Sequence, residues 1–386
     1  MSTGEQLTAR TRFVRHALFE PIDRPPHFET LGFWPTAVQR WYGEGLPRHV
    51  RHLRDRDDFK PGEISVEDYL DFESYSWPPF QGDATATPLW PPFAREVLEE
   101  DDEIVIFRDP SGVIRKDLKN SRTMPTFLEF PVKCAADWEK LKPRLDPAAA
   151  ERYQSAHEAA ANGFNERENL TPYVICGTYG MPRNLFGEEN LAYVYYDDPK
   201  LLHEIMDTWL AFYCEHARRL CEIVDLDYVF LWEDLAYKNG PLVSPDLARE
   251  FMFPYLRQLI QELRGVGFKV IALDTDGNAK VLMDDFIEAG INHFEPCEIA
   301  ADMEPQWVRQ RYGRRCAIQG GIDKRALAAG KSQIDAEVMR KVPELLAQGG
   351  YCPGVDHAVP SDVSFENFCY FLELIRRLGR EIQPTY

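Results

Sequence analysis

From Pro172 onward the chain alternates short apolar runs with longer amphipathic stretches. Tyr173-Val174-Ile175-Cys176-Gly177, Tyr228 to Trp232, Phe268 to Leu273, Ile291 to Glu295, Cys316 to Gln319 and a short run at Tyr351 read as buried strands. Apolar runs of this length, bounded by turn residues, fit that state. Between them, residues 189–223, Ser244 to Arg264, the segment closed by Gly290, residues 333–347 and residues 365–375 read as helices. Ser244-Pro245 is a helix start, with Ser as cap and Pro in the first turn. Pro254 predicts a kink or break inside that helix. The first half lacks this rhythm. Thr11 to Leu18 reads as a helix and His27-Phe28-Glu29-Thr30 as a strand. Residues 35–100 read as short helices and loops over one face. Glu103 to Arg108 and Val113 to Lys116, joined by Asp109-Pro110-Ser111-Gly112, predict a decorating β-hairpin.

Alternation of strand and helix implies parallel strands with helical crossovers. At least six such units fit, and no Gly-rich nucleotide fingerprint follows a strand. The expectation is an α/β fold of the (β/α)8 TIM-barrel type, one domain over residues 1–386. Residues 1–170 would hold the first strands with loop and hairpin insertions, and residues 171–386 the regular units.

Composition narrows the partners. A net charge of −19 argues against nucleic acid, since phosphate binding needs a basic surface. No apolar run approaches the roughly 20 residues of a membrane span, and the start, Met1-Ser2-Thr3-Gly4-Glu5, lacks a signal-peptide pattern. The eight cysteines are dispersed without a C-x-x-C pair, which predicts reduced thiols in a cytoplasmic protein.

In such barrels chemistry sits at the C-terminal ends of the strands. The residues at those ends are Glu29, Thr178, Glu233, Asp234, Asp274, Asp276, Glu295, Gln319, Asp323, Asp356 and His357. Acids dominate, and crowded like charges repel. Asp274-Thr275-Asp276-Gly277-Asn278 stands out, because alternate residues of a strand point to the same side. A cap and an Asp-Gly turn would also explain it. Other positions have plainer readings beside functional ones. His293 reads as a packed histidine and Cys297 as a buried thiol. Lys324-Arg325 reads either as an anion contact or as a surface pair at a helix start, and Arg183 as a second anion contact. Lys238-Asn239-Gly240 reads as a loop over the mouth.

The second half resembles the uroporphyrinogen decarboxylase superfamily. The resemblance rests on Ser244-Pro245 through Phe251-Met252-Phe253-Pro254-Tyr255, Asp276-Gly277-Asn278 and Glu288-Ala289-Gly290. Gly320-Gly321-Ile322-Asp323 and Pro353-Gly354 through Phe365-Glu366-Asn367 complete it, with Arg12-Phe13 and Asp23-Arg24-Pro25-Pro26 near the start. True decarboxylases of the family open with an arginine-bearing loop that grips substrate carboxylates. Here His27 to Trp34 carries no arginine, so the resemblance implies the fold but not the haem-pathway substrate. A second branch holds zinc methyltransferases that use a corrinoid. Where they carry His-x-Cys-Gly-Asn, this chain has Asp274-Thr275-Asp276-Gly277-Asn278. Their later Cys aligns with Val355, followed by Asp356 and His357.

Three readings follow. The first is a metal-dependent methyltransferase or demethylase acting on a small methylated substrate, with a corrinoid that a partner protein can carry. In it Asp274, Asp276 and His357 hold zinc, manganese or iron, and Glu233, Asp234, Asp274 and Asp276 are the catalytic acids. Glu29, Thr178, Arg183, Glu295, Gln319, Asp323, Lys324 and Asp356 contact substrate or cofactor. The second is a metal-free decarboxylase or lyase of an aromatic or pyrrole-like substrate. The third is a barrel that binds a small molecule without turnover. Family members form monomers and dimers.

Overall fold

The computed structural model describes residues 6–29, 31–73, 75–76, 88–119 and 125–385. Its centre is a parallel sheet of six strands in sequence order: β1 (Pro172–Cys176), β2 (Tyr228–Trp232), β3 (Ile271–Asp274), β4 (His293–Glu295), β5 (Ala317–Ile322) and β6 (Tyr351–Val355). Two extended segments lie between β6 and β1 and close the ring. The Cys352 thiol donates to the Pro26 carbonyl at 3.2 Å. The Glu73 amide donates to the His27 carbonyl at 2.9 Å, and the Ser76 amide to the Leu170 carbonyl at 2.8 Å. The fold is a (β/α)8 TIM barrel. The segments at residues 26–29 and 73–76 make too few ladder bonds for regular strands, and Thr30, expected in the first, lies outside the described residues.

The helices follow their caps. Ser244 accepts from the Leu247 amide, and the helix Pro245–Phe251 stops at Met252, where Phe253–Val266 begins with Pro254 in its first turn. The helix expected over residues 189–223 is two, Glu188–Asp197 and Pro199–Cys221. Pro199 cannot donate to the preceding turn, and Asp198 caps the second helix through the Leu201 amide. The last helix, Phe365–Glu381, buries Phe368, Phe371, Leu372, Ile375 and Leu378, one apolar stripe against the barrel wall. The expected hairpin is the middle of a four-stranded antiparallel sheet, Glu96–Glu100, Ile104–Arg108, Ile114–Leu118 and Thr126–Glu129. Of the two outer strands, Glu96–Glu100 is rich in acids and Thr126–Glu129 is only four residues long, so neither carried a clear strand signal. All eight cysteines are free thiols. Among the described residues no helix is long and apolar enough to cross a membrane.

The helix Ala9–Ala17 plugs the N-terminal end of the barrel. Phe13 sits against Tyr228 (4.6 Å between ring centroids), His293 (5.3 Å) and Phe28 (5.7 Å). Above it, register aligns Val174, Phe230, Ala272, His293 and Ala317 on five adjacent strands. The plug is fastened by Arg12, which is 2 % exposed. Its guanidinium binds Asp23 at 2.7 Å and also the Glu73 carboxylate, which in turn accepts the His27 amide at 2.8 Å. One cation thus joins the plug to both segments that close the ring. Although burial alone would raise it, Arg12 and the Leu7 and Arg24 amides hold the Asp23 carboxyl down at about 2.

Removing one partner of a buried ion pair leaves an uncompensated charge and costs about 3–5 kcal/mol. Arg12→Ala is expected to lose stability on that scale in urea denaturation. Arg218→Ala, which removes only exposed ion pairs, should change it by less than about 1 kcal/mol. Because Asp23 titrates lower folded than unfolded, its contribution is complete above its ordinary pKa of 3.8 and disappears as pH falls towards 2. Acid titration of Asp23→Asn should therefore lack that segment of the wild-type unfolding profile.

Candidate functional site

The strand ends present their acids at one mouth, but most of these are already bonded. Glu233, at the end of β2, is wholly buried. It accepts the Thr178 amide (2.8 Å) and hydroxyl (2.6 Å), the Tyr179 amide (2.7 Å) and the Gly180 amide (3.4 Å). Burial raises its pKa against the pull of these four bonds. Glu233 therefore anchors the start of the helix Gly180–Phe186, and Thr178, expected at substrate, is its hydroxyl partner. A side chain at Gly177 would collide with the Glu233 carboxyl. Arg183 lies over the Trp232 ring and binds both the carboxylate (2.7 Å) and the carbonyl (2.9 Å) of Asp234. Arg183, expected as an anion contact, is in this way already neutralised.

The β5 and β6 ends behave alike. Asp323 caps the helix Lys324–Ala329 through the Arg325 amide at 2.8 Å and pairs with the Arg325 guanidinium at 2.7 Å. Asp323 is thus engaged by the start of its own helix, and Arg325 by Asp323. Asp356 is fully buried. It accepts the Ile299 amide (3.0 Å) and the Lys324 amide (3.1 Å), with the Lys324 ammonium at 3.4 Å. Burial raises its pKa, and Lys324 opposes the rise. The Lys324 ammonium also lies 3.6 Å from Glu298. Glu298 was not foreseen, since it stands beyond the predicted strand end, yet it accepts the Gly277 amide at 3.0 Å.

What remains is a compact group on β3, β4 and the loop after β6. His357 Nε2 lies 3.2 Å from Asp276 Oδ2, with both side chains about a third exposed. The bond to Asp276 raises the His357 pKa above its ordinary value, against burial. The other Asp276 oxygen, Oδ1, is buried with no hydrogen-bond partner. Asp274 is 5 % exposed. Burial first, then the charges of Glu295, Asp276 and Asp234, lift its carboxyl well above the usual range. It is the register partner of Glu295 on β4. The two residues of the Asp-x-Asp pair thus have different surroundings: Asp274 is a buried acid whose pKa is raised inside the barrel, and Asp276 is paired with histidine at its rim.

These donors bear directly on the expected metal centre. Asp276 and His357 meet, but Asp274 does not join them in a chelating set. Among the described residues no three His, Cys, Asp or Glu side chains are grouped to hold an ion. The arrangement is a proton-holding pair beside a buried acid. His293 is, as expected, packed; it is fully buried and burial drives its pKa down to about 3. Cys297 is a buried thiol whose pKa burial raises further. The loop at Lys238 is the tip of a small ladder, Ala236–Tyr237 with Gly240–Pro241, resting on the Asp-Gly turn.

A cavity of about 430 Å³ opens beside the two ring-closing segments, walled by Phe33, Phe72 and Tyr75 and carrying Glu29, Arg56 and Glu67. Neither Asp276 nor His357 lines it. Glu29 connects the two regions: it is 8 % exposed and its carboxylate meets the Val355 amide at 3.4 Å, one residue before Asp356. Burial raises the Glu29 pKa well above the usual range, and Asp356 and Glu67 add to the rise.

Comparison with known proteins agrees with this architecture. The family model "Uroporphyrinogen decarboxylase (URO-D)" matches residues 118–378. Uroporphyrinogen decarboxylase of Coxiella burnetii (strain RSA 493 / Nine Mile phase I) is 22 % identical over 383 residues, covering 95 % of this chain and 95 % of its own. The Danio rerio protein of the same name is 23 % identical over 275 residues, 67 % of this chain and 70 % of its own. Among solved structures, a methyltransferase from Methanosarcina mazei superposes with a TM-score of 0.63 over 96 % of this chain and 98 % of its own, at 15 % identity. That last likeness establishes the barrel and says nothing of the chemistry. With the family model matching more than half of its length, the chain belongs to the uroporphyrinogen decarboxylase family.

Proposed function

We propose that this protein is an enzyme that removes a one-carbon group from a small substrate at the barrel mouth, and that the group leaves as carbon dioxide. The supporting observation is the Asp276–His357 contact above the buried Asp274 acid. Decarboxylation converts a carboxylate and a proton into a C–H bond and carbon dioxide. It requires a proton donor for the carbon left behind and a negative group for any positive charge that develops in the ring. The His357–Asp276 pair holds a proton at the rim, and Asp274 is a second acid whose pKa burial and neighbouring acids raise, the kind of shift that favours acid catalysis. The family's name and its full-length relatives fit this chemistry, while the missing arginines at residues 27–34 separate its substrate from a polycarboxylated tetrapyrrole.

A second reading is methyl transfer to a corrinoid, supported by the standing of Asp274 and Asp276 where the methyltransferase branch carries zinc ligands. A divalent metal and a corrinoid partner belong to that reading. Among the described residues Asp276 and His357 form a pair rather than a three-ligand set.

Incubating the chelator-treated protein with a panel of aromatic and N-heteroaromatic carboxylic acids should yield products lighter by carbon dioxide, read by mass spectrometry. His357→Ala should lower kcat by about 10²- to 10⁴-fold, the usual scale for one general acid. Loss of a methyl group that requires added metal and cobalamin would overturn this in favour of the second reading. Binding without turnover would leave a capture protein.

The same pair sets a pH dependence. Its stabilisation is complete below the ordinary histidine pKa of about 6.5 and is lost as pH rises through the higher folded value. Asp276→Asn should lower the His357 pKa, followed by NMR of the imidazole, and move the alkaline limb of kcat/KM to lower pH. An unchanged His357 titration would contradict the pairing.

A further inference from the structure

Gln319 carries an unfilled hydrogen-bonding demand inside the barrel. Its side chain is 2 % exposed, and neither its amide nitrogen nor its amide oxygen has a hydrogen-bond partner among the described residues. A buried polar group left unpaired is destabilising, so two on one side chain point to something that satisfies them. Its direction follows from alternation along β5. Ala317, two residues earlier, packs with Phe13, Tyr228 and Ala272 in the barrel interior, so Gln319 faces the same axis. Its place follows from register. β4 and β5 pair His293 with Ala317 and Phe294 with Ile318, and the next step sets Glu295 beside Gln319. Glu295 is in turn the partner of Asp274. Asp274, Glu295 and Gln319 therefore form one inward tier across three adjacent strands. Below it lies His293, fully buried, with no hydrogen-bond partner at either ring nitrogen.

We propose that this tier is the floor of the substrate pocket and that it recognises a neutral planar group with a hydrogen-bond donor beside an acceptor: an amide, a lactam, or the equivalent edge of a heteroaromatic ring. The inference deepens the reading of the mouth as a substrate site and does not depend on which one-carbon group leaves. Gln319 selects the chemistry. A cation would satisfy its oxygen and leave its two N–H donors facing a positive group. A carboxylate would satisfy the N–H donors but leave the amide oxygen facing a negative group. The cations at these strand ends are already engaged: Lys324 is held by Asp356 and Glu298, Arg183 by Asp234, and Lys341 by Glu304, Glu337 and the Gly321 carbonyl. A lactam edge answers both amide atoms at once. A site built around such bonds also rejects analogues that lack them, because the buried amide is then left unpaired.

The competing occupant is ordered water, and the two are separable with 2-pyridone as the probe and toluene as a ring of similar size without the polar edge. Calorimetry on the full chain should show 2-pyridone binding in preference to toluene. Gln319→Met, close in volume and without the amide, should be at least as heat-stable as wild type and should bind 2-pyridone at least tenfold more weakly. Gln319→Leu provides the same comparison if the methionine variant folds poorly. His357→Ala should keep the 2-pyridone preference while losing turnover, so failure of the proposed reaction and failure of this recognition register in different measurements. Equal 2-pyridone affinity in wild type and the Gln319 variants, or no binding by wild type, would overturn the assignment and leave water as the occupant.

Discussion

The cost of burying a carboxylate without a donor organises the whole C-terminal face of this barrel. Strand after strand ends in an acid, and a ring of unscreened negative charge would be untenable. The chain resolves most of it locally. Glu233 collects the amides of residues 178–180, Asp356 collects those of Ile299 and Lys324, Asp323 caps its own helix, and Asp234 takes Arg183. Each of these acids is at once a neutralised charge and a fastening between a strand end and the next loop. The functional group is what this accounting leaves over: a buried acid in Asp274, an imidazole-bound carboxylate in Asp276, and the inward tier with Gln319.

The same constraint separates what could be read in the sequence from what could not. Parallel strands from Pro172 onward were legible because each buried run is short, apolar and followed by an amphipathic helix. The break after Met252 was legible in Pro254; the one at Asp198-Pro199 lay within a continuous amphipathic period that masked it. The strand-end acids were legible as a set, but their roles were not. A sequence shows that Glu233 and Asp323 stand at the mouth, yet it does not show that loose backbone amides wait within bonding distance. Asp274 and Asp276 kept their prominence because alternation fixed their direction. Their division into buried acid and histidine partner depended on Glu295 and His357, which lie 21 and 81 residues beyond Asp274 and Asp276 respectively.

The irregular first half is explained by what holds it. The two ring-closing segments have almost no ladder of their own, and side chains replace it. Arg12 joins the plug helix to Glu73, and Glu73 reaches back to the His27 amide. Backbone freed from a regular ladder can bend outward. The cavity beside Glu29, Phe33 and Tyr75 lies against these segments. Nearly all the residues lining this cavity precede the stretch matched by the family model, which begins at residue 118.

Geometry at the rim is fixed in advance rather than assembled on binding. Gly277 has a φ of +74°, and a side chain there would collide with the Ala236 carbonyl, so the small ladder at residues 236–241 can rest directly on the turn. Asn278 donates its amide to the Tyr237 carbonyl at 2.9 Å, Gly277 donates to Glu298, and the Thr275 hydroxyl accepts the Leu235 amide at 3.1 Å. These bonds at residues 275, 277 and 278 flank Asp276 on both sides along the chain and hold the backbone that presents it to His357. A proton-holding pair positioned this way needs little reorganisation when charge develops beside it, which is where preorganised polar groups gain most over water. The restriction to glycine, the buried Asp276 oxygen and the buried acid at Asp274 are then parts of one arrangement that holds a carboxylate and an imidazole in a single orientation.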